Sequence, residues 1–366
     1  MKYSEFYSVF KNFLDNAPIE KLDETRSYVF LSDLHMGNGG SRDDLTRHRT
    51  LLTAALGKWY LKENYILVLN GDIEDLNKFL LSDINKAWKE VLEIIGSFSD
   101  KGNLRKIIGN HDVDLLVTRN YPWKLYEGII FKYGKRKIFV FHGHQASNLY
   151  VRFDFLSEFL VRWFLRPLHI RNISVSKNSR RRFRTEKRIY RAAKSLGILA
   201  IAGHTHRPLF ESMSKYDNIT LILENLIQKY VDSPQDKKRK IRTQINLYRK
   251  ELISLAAEKE NIKKTQSLYG AGPLLIPCLF NSGSATSKNG FNALEIRDGK
   301  ISLVYWTDGK ADRPYIASEA LKKISVDSRF FRYTLQSERL DSIFTRIELL
   351  GDLPQENEEN EEDDED

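Results

Sequence analysis

The stretch IIGNHDVD, residues 107–114, places an amide, an imidazole and a carboxylate side by side directly after an apolar run. Gly and Asn are common turn residues, so a polar turn is the simplest interpretation. The alternative is a catalytic corner at the end of a strand. One stretch cannot separate the two, but the same pattern recurs along the chain.

Four other apolar runs also end at polar clusters: SYVFL before SDLH, YILVLN before GDIED, KIFVF before HGH, and ILAIA before GHTH. Short apolar runs bounded by Gly, Asn and Asp predict buried strands. Helical patterns at residues 43–63 and 76–98 separate the early runs, which predicts an α/β layered fold with much parallel sheet. Ligands in such folds bind outside the carboxyl ends of the strands, where all five clusters lie.

Further elements are predicted on either side of these runs. LLIPCLFNSGSA (274–285), NALEIRDG (292–299) and KISLVYW (300–306) are interpreted as strands of a second sheet facing the first, with a hairpin turn at Asp298-Gly299. The N-terminal segment has helical spacing of Tyr3, Phe6, Phe10 and Leu14. Residues 145–197 and 228–268 are interpreted as helical inserts, the second with a four-three apolar repeat typical of coiled coils.

The composition is that of a globular protein, with 41% hydrophobic and 29% charged residues in 366. The single cysteine, Cys278, allows no disulfide within the chain, and its apolar surroundings favour a buried core position over a nucleophile. We find no secretory signal and no apolar run of about 18 residues that could span a membrane. A cytoplasmic protein is expected, with peripheral membrane association left open.

Charge is distributed unevenly. The tail at 354–366 carries nine acidic residues and no apolar side chain large enough to anchor it, which predicts disorder. Since the whole chain has a net charge of +9, the remainder carries about +18. The insert stretch at 177–194 is the most basic, and it predicts an anionic partner such as a membrane surface or a nucleic acid.

Histidines are concentrated in the five clusters. Six of the eight lie there, beside four carboxylates: His35, His111, His142, His144, His204 and His206, with Asp33, Asp72, Asp75 and Asp112. Imidazole and carboxylate together are ligands for Zn, Mn or Fe. A zinc ribbon is excluded because it would need several cysteines.

Taken in order, Asp33-Leu-His35, Gly71-Asp72-Ile-Glu-Asp75, Gly109-Asn110-His111-Asp112, His142 and Gly203-His204-Thr-His206 resemble the signature blocks of the calcineurin-like metallophosphoesterases. The resemblance spans about residues 27–210. It implies a four-layer αββα metallophosphoesterase sandwich with a helical cap insertion, over residues 27–353. An N-terminal helix at 1–26 would precede this domain, and the acidic tail would follow it.

The resemblance also implies a metal-dependent phosphoester hydrolase with two divalent cations. Asp33, His35, Asp72 and His206 would hold one ion, and Asp72, Asn110, His142 and His204 the other. A hydroxide bridging the two ions would attack phosphorus. The mixed N and O ligands admit Mn, Fe, Zn or Co, and we expect Mn. No other cofactor is expected.

His111 and Asp112 are the predicted catalytic residues. The resemblance implies that His111 assists the leaving oxygen, and Asp112 is expected to orient its imidazole. Asp75 is interpreted as a partner that orients a ligand, with a helix cap as the alternative. His144 could contact metal or substrate, and Arg207 could contact phosphate, although solvent-facing roles stay open for both.

Several substrates remain compatible with the sequence. The apolar and arginine-rich stretch at 153–170, followed by the basic stretch, resembles the cap of the UDP-2,3-diacylglucosamine pyrophosphohydrolases, which implies a nucleotide-linked lipid at a membrane surface. A nuclease or nucleotide phosphodiesterase would also use a basic cap. A protein phosphatase is a further alternative, and a non-enzymatic anion-binding scaffold is the last.

Overall fold

The computed structural model describes residues 3–146, 179–210, 223, 226–227, 229–231, 233–261, 276–286, 289–309 and 320–351. The chain divides into two compact units, residues 1–210 with 278–366, and residues 211–277. The helices are α1 (Tyr3–Asn16), α2 (Arg49–Thr53) with a π-helical continuation (Ala54–Leu61), α3 (Leu81–Ala87), α4 (Lys89–Asp100), α5 (Ser179–Ser195), α6 (Gln235–Asn261) and α7 (Leu340–Leu350). Short 3₁₀ turns lie at Thr46–His48, Val113–Val117 and His144–Ala146.

The first unit contains two sheets. In spatial order the six-stranded sheet is β1 (Ile19–Lys21), β6 (Gly128–Tyr133), β7 (Arg136–Phe141), β8 (Leu199–Ala202), β10 (Leu279–Asn281) and β9 (Leu209–Phe210). The eight-stranded sheet is β13 (Lys322–Ser325), β14 (Phe331–Arg339), β12 (Lys300–Thr307), β11 (Phe291–Arg297), β2 (Tyr28–Leu31), β3 (Ile66–Asn70), β4 (Leu104–Ile107) and β5 (Leu125–Tyr126).

All five apolar runs that precede the polar clusters form strands. The first three are the neighbouring parallel strands β2, β3 and β4, and the last two are the parallel pair β7 and β8 of the other sheet. The five clusters therefore end strands of both sheets.

The prediction that the late strands form a second sheet was wrong for β11 and β12. Strand β11 pairs antiparallel with β2, with Leu294 opposite Phe30, so this hairpin extends the sheet that carries the first three clusters. Apolar alternation reports which face of a strand is buried and not which neighbour it pairs with. The turn itself is confirmed, since Asp298 and Gly299 both have positive φ, as a two-residue hairpin turn requires.

The two sheets pack face to face through aromatic side chains. Phe131 of β6 contacts Tyr28 and Phe30 of β2, with ring centroids 5.5 and 6.4 Å apart. Each fully buried Phe of this kind contributes roughly 1.5–3 kcal/mol of hydrophobic stabilisation. Cys278, next to β10, is fully buried, as predicted.

Helices cover the outer face of each sheet. On the eight-stranded sheet, Val91, Ile95 and Phe98 of α4 are buried in one apolar cluster with Leu67 and Leu69 of β3. The six-stranded sheet is covered by α1, whose Phe10 contacts Phe139 and Phe141, and by α5, which packs against β8 and β10. The predicted four-layer α/β sandwich is confirmed.

Two segments differ in detail from the sequence interpretation. The N-terminal segment is more than a helix, because β1 follows α1 and pairs in parallel with β6. Of the basic insert, α5 lies on the six-stranded sheet with Ile189 and Ala193 buried, and residues 147–178, including the apolar stretch at 153–170, lie outside the described residues. Within the described parts of the chain, every helix is too short or too polar to cross a bilayer.

Candidate metal centre

The polar clusters meet at one edge of the sandwich because each follows the carboxyl end of a strand. Asp33 and His35 follow β2, Asp72 follows β3, and Asn110 and His111 follow β4. From the facing sheet, His142 follows β7, and His204 and His206 follow β8. Backbone hydrogen bonds tie the first two loops together, since Asp33 N donates to Gly71 O over 3.0 Å and His35 N to Asp72 O over 3.0 Å.

The backbone is strained where these side chains are presented. Eight non-glycine residues have positive φ in the described chain, and five are predicted ligands: Asp33, His35, Asp72, His204 and His206, with φ between 51° and 66°. Left-handed conformations are unfavourable for such residues and persist where the surrounding structure holds them. Their concentration here indicates a functional site.

Two motif glycines allow the loops to approach closely. A Cβ on Gly109 would lie 2.2 Å from Asp72 Oδ1, and one on Gly203 would lie 2.8 Å from Asp33 Oδ2. A larger residue at either position would therefore displace a carboxylate of the site.

Asp33, His35 and His206 form the first donor group, in which one ligand atom from each residue lies within 4.8 Å of the others. His206 Nε2 is 3.2 Å from Asp33 Oδ1 and 3.1 Å from His35 Nε2. Burial lowers the pKa of His35 to about 4, so its imidazole is neutral near pH 7 and carries a free lone pair.

Asp72, His142 and His204 form the second donor group. His142 Nδ1 donates to the Asn70 carbonyl over 2.9 Å, which directs Nε2 toward Asp72 Oδ2, 3.2 Å away. Burial lowers the pKa of His204 to about 3, which keeps this imidazole neutral as well. Although burial opposes ionisation of Asp72, the adjacent imidazoles of His142 and His111 hold its pKa well below the usual range.

Three buried ligand atoms have no hydrogen-bond partner in the described structure: Asn110 Oδ1, His142 Nε2 and His204 Nε2. An unsatisfied buried polar atom costs about 1–3 kcal/mol, so three together need an explanation. Divalent cations bound by this oxygen and these imidazole nitrogens would satisfy all three, and the donor set suits Mn, Fe or Zn. The residues present therefore fit a metal centre.

Asp72, a member of the second donor group, also lies close to the first. Its Oδ2 atom is 3.2 Å from His142 Nε2 in the second group and 3.8 Å from His35 Nε2 in the first. Its Oδ1 atom accepts the backbone N–H of His111 over 2.8 Å. One carboxylate is thus within reach of both groups.

The expected pairing of His111 with Asp112 was wrong. His111 Nδ1 contacts Asp75 Oδ1 at 2.8 Å, and Lys78 Nζ holds the other oxygen of Asp75 at 2.6 Å. Asp112 is fully buried and accepts the backbone N–H groups of Ile73 and Gly109. Its carboxylate faces into the loops, because side chains one residue apart in an irregular turn do not share a direction.

Asp75, and not Asp112, is therefore the carboxylate that orients the His111 imidazole. Although burial lowers the pKa of His111, the hydrogen bond that its Nδ1–H donates to Asp75 raises it, and the net shift is upward. His111 Nε2 points back toward the centre, 4.0 Å from Asp72 Oδ2.

The two residues with open roles are now placed. The His144 ring lies beside His142 and His204, with centroids 5.5 and 6.4 Å apart, and burial lowers its pKa well below the usual value. Arg207 contacts the buried carboxylate of Glu186 on α5, with Nη2 and Oε2 2.6 Å apart. This contact engages Nε and Nη2 of the guanidinium, and a contact of Arg207 with phosphate stays a prediction.

Sequence reasoning missed two buried charges beside the loops. One is Glu186, the only acidic residue in the basic stretch. The other is Lys106 in β4, whose Nζ lies 2.6 Å from Glu74 Oε2, while Tyr121 donates to Glu74 Oε1 over 3.0 Å. For Glu186 the only available signal was a single acid within a basic run, and for Lys106 a charge beside an apolar run.

Comparisons with known proteins agree with the motif order. Residues 27–208 match the family model of the calcineurin-like phosphoesterases. No curated protein matches the chain significantly.

Solved structures resemble the chain only distantly. A predicted phosphoesterase from Streptococcus pneumoniae is 13% identical, covering 77% of this chain and 89% of its own, with a TM-score of 0.28. Vps29 of Entamoeba histolytica is 14% identical over 78% and 93%, with a TM-score of 0.31. Yfce, a phosphoesterase from E. coli, is 13% identical over 75% and 91%, with a TM-score of 0.30.

These TM-scores are too low to support a family assignment. The assignment rests on the match to the family model and on the ordered motifs at the strand ends. Residues 27–208 belong to the calcineurin-like phosphoesterase family.

Proposed function

We propose that the chain hydrolyses phosphoesters with a centre of two divalent cations. The observation that carries this proposal is that Asp72, a member of the donor group with His142 and His204, also lies 3.8 Å from His35 of the other donor group. A carboxylate shared in this way can hold two cations about 3.5–4 Å apart, the spacing typical of two-metal hydrolases.

The first ion would be held by Asp33, His35, Asp72 and His206. The second would be held by Asp72, Asn110, His142 and His204, which include all three unsatisfied ligand atoms. When bound, the two cations would supply positive charge to the phosphoryl oxygens and lower the pKa of a bound water molecule.

The remaining chemistry belongs to the chain itself. His111, held by Asp75 and carrying a raised pKa, is placed to donate a proton from Nε2 to the leaving oxygen. Asp112 fixes the two loops through its backbone contacts and is assigned no direct part in proton transfer. Mn is favoured among the candidate ions.

The substrate is proposed only as a phosphoester. The basic insert favours an ester that carries further negative charge, as a nucleotide-linked lipid or a nucleic acid does. An anionic membrane or nucleic acid bound through residues 177–194 stays a prediction, since part of that insert lies outside the described residues.

The test is hydrolysis of p-nitrophenyl phosphate and bis-p-nitrophenyl phosphate by metal-stripped protein, with Mn, Fe, Zn and Mg added back singly. We expect no turnover without metal and restored turnover with at least one ion. The ratio of diester to monoester hydrolysis would then narrow the substrate class.

Two variants complete the test. Asp72→Asn should abolish the restored turnover, because it removes the shared ligand. Asp44→Asn is the matched control, since the Asp44 carboxylate is exposed and pairs with Arg47 at the surface. Two bound ions per chain without turnover of either ester, with every metal, would contradict hydrolysis of simple phosphoesters and favour an anion-binding scaffold.

A further inference from the structure

Helix α5 contributes a buried carboxylate to the loop that carries His204 and His206. Glu186 is only 2% exposed. Its Oε1 atom accepts the Thr205 hydroxyl over 2.7 Å, and its Oε2 atom accepts Arg207 Nη2 over 2.6 Å. Thr205 lies between His204 and His206 in the sequence, and Arg207 follows them. Glu186 therefore contacts the loop both between the two predicted ligands and directly after them.

The same loop is held from the other side by Asn281, the last residue of β10. Asn281 Nδ2 donates to Gly203 O over 2.8 Å and to the Thr205 hydroxyl over 3.1 Å. The Thr205 hydroxyl therefore accepts from Asn281 and donates to Glu186. Both of its partners are buried and belong to elements other than the loop.

This loop needs such support because its backbone is strained. His204 and His206 both have positive φ, at 66° and 57°, and Thr205 N donates to Gly203 O in a tight turn with an N···O distance of 2.7 Å. Each residue in such a conformation is energetically unfavourable and relaxes unless neighbouring groups hold it.

The helix that carries Glu186, α5, is itself packed against the six-stranded sheet. Ile189, Tyr190 and Ala193 are buried against the six-stranded sheet, and the Cys278 thiol contacts the Tyr190 carbonyl, with Sγ and O 3.6 Å apart. The Glu186 carboxylate thus occupies a fixed point relative to β8, the strand from which the loop emerges.

We propose that Glu186, acting through the Thr205 hydroxyl, is a positioning residue that holds His204 and His206 in their ligand geometry. The basic insert would then form part of the metal centre. This inference rests on the proposed function, because it uses the ligand assignment given there.

The assignment gives the inference a specific signature. His206 belongs to the first ion and His204 to the second, so loosening the loop should weaken both ions together. Loss of a single ligand would instead weaken the ion that it holds. Groups that orient metal ligands typically contribute about 10- to 100-fold to metal affinity.

The experiment is a calorimetric titration of metal-stripped full-length protein with Mn²⁺, repeated with Co²⁺ and read by visible absorption. Thr205→Val removes only the hydroxyl and keeps the side-chain shape. We expect about 10- to 100-fold weaker binding at both sites and altered Co²⁺ absorption bands. Thr205→Ser, which restores the hydroxyl, should return affinity toward the wild-type value.

Thr307→Val is the matched control. Thr307, in β12, is also buried, and its hydroxyl donates to Asn289 O over 3.1 Å, a contact that involves no predicted ligand. This variant should keep wild-type metal affinity. Glu186→Gln tests the charge, and we expect it to weaken both sites, because its amide no longer neutralises Arg207.

The outcomes separate this inference from the proposed function. Two ions bound by the wild type, and an unchanged affinity in folded Thr205→Val, would overturn the positioning role while leaving the two-ion centre intact. Weakening of one site alone would also overturn it. A wild-type chain that binds fewer than two ions would contradict the proposed function itself.

Discussion

The two sheets contribute different halves of the proposed metal centre. The eight-stranded sheet provides both carboxylates and the amide, from Asp33, Asp72 and Asn110, together with the imidazole of His35. The six-stranded sheet provides three imidazoles, from His142, His204 and His206. Neither sheet completes either proposed ion site, so metal binding requires both sheets to be packed together.

The loops of the two sheets are also held in different ways. Those after β2 and β3 are joined by a ladder of backbone bonds, in which Met36 N donates to Ile73 O over 2.8 Å and Asp75 N to Met36 O over 3.0 Å. The loop after β8 has one such bond, from Gly203 N to His142 O over 2.8 Å, and is held further by the side chains of Glu186 and Asn281. Strand β8 also has parallel neighbours, β7 and β10, so the difference lies in the side chains that its loop draws on from an inserted helix and from β10.

The largest losses of turnover should come from removing a predicted histidine ligand of the six-stranded sheet. His206→Ala should lose the first ion, and His142→Ala the second, each with turnover lower by at least about 10²–10³-fold. Metal content by mass spectrometry, measured with turnover, checks both variants. Loss of the same ion in both would contradict the division of ligands between the sheets.

His111→Gln separates proton donation from metal binding on the eight-stranded side. We expect turnover to fall about 10²–10⁴-fold, because the leaving oxygen loses its proton donor, while both ions remain bound. Steady-state rates with p-nitrophenyl phosphate and metal content of the same samples provide the measurement. A variant that loses metal would show that His111 is a ligand instead.

Lys106→Met tests the support beneath the loop after β3. It leaves the buried carboxylate of Glu74 unpaired, and removing one partner of a buried ion pair costs roughly 3–5 kcal/mol in the free energy of unfolding. Urea unfolding monitored by circular dichroism measures this. Replacing Glu74 by Leu in the same chain should recover part of the loss, and a cost below ~1 kcal/mol would contradict the role of the pair.

The smallest expected effect is that of Asp75→Asn on the pH profile. Burial lowers the pKa of His111, whereas its hydrogen bond to Asp75 raises that pKa. Removing the Asp75 carboxylate should therefore lower the pKa of His111. Proton donation requires protonated His111, so the fall in kcat at high pH should move to lower pH. Rates measured across about pH 5–9 with saturating metal check this prediction. A fall in kcat at the same pH as in the wild type would count against the Asp75 contact.

Much of the site can be predicted from the sequence because the pattern is local. Each short apolar run ends at a polar cluster, and parallel strands of one sheet bring their carboxyl ends to one edge, so the pattern predicts that Asp33, Asp72 and Asn110 lie together. The choice between the polar turn and the catalytic corner at residues 107–114 was decided by recurrence in five strands.

What failed depended on contacts between distant residues. Asp112 and Asp75 are both acidic and close to the motifs, and only the loop geometry shows that Asp75 contacts His111 while Asp112 binds backbone N–H groups. The pairing of β11 with β2 is likewise set by the fold and not by alternation of apolar residues. Glu186 could not be connected to Thr205, because a lone acid in a basic helix gives no indication of its partner.

The most direct test of a centre shared between the sheets is electron paramagnetic resonance of the metal-stripped chain titrated with Mn²⁺. Two Mn²⁺ ions at the spacing of about 3.5–4 Å that is typical of two-metal hydrolases would be magnetically coupled. The account predicts two Mn²⁺ per chain, the spectrum of a coupled pair, and loss of that spectrum in Asp72→Asn. Two uncoupled ions, or saturation at one ion, would contradict it.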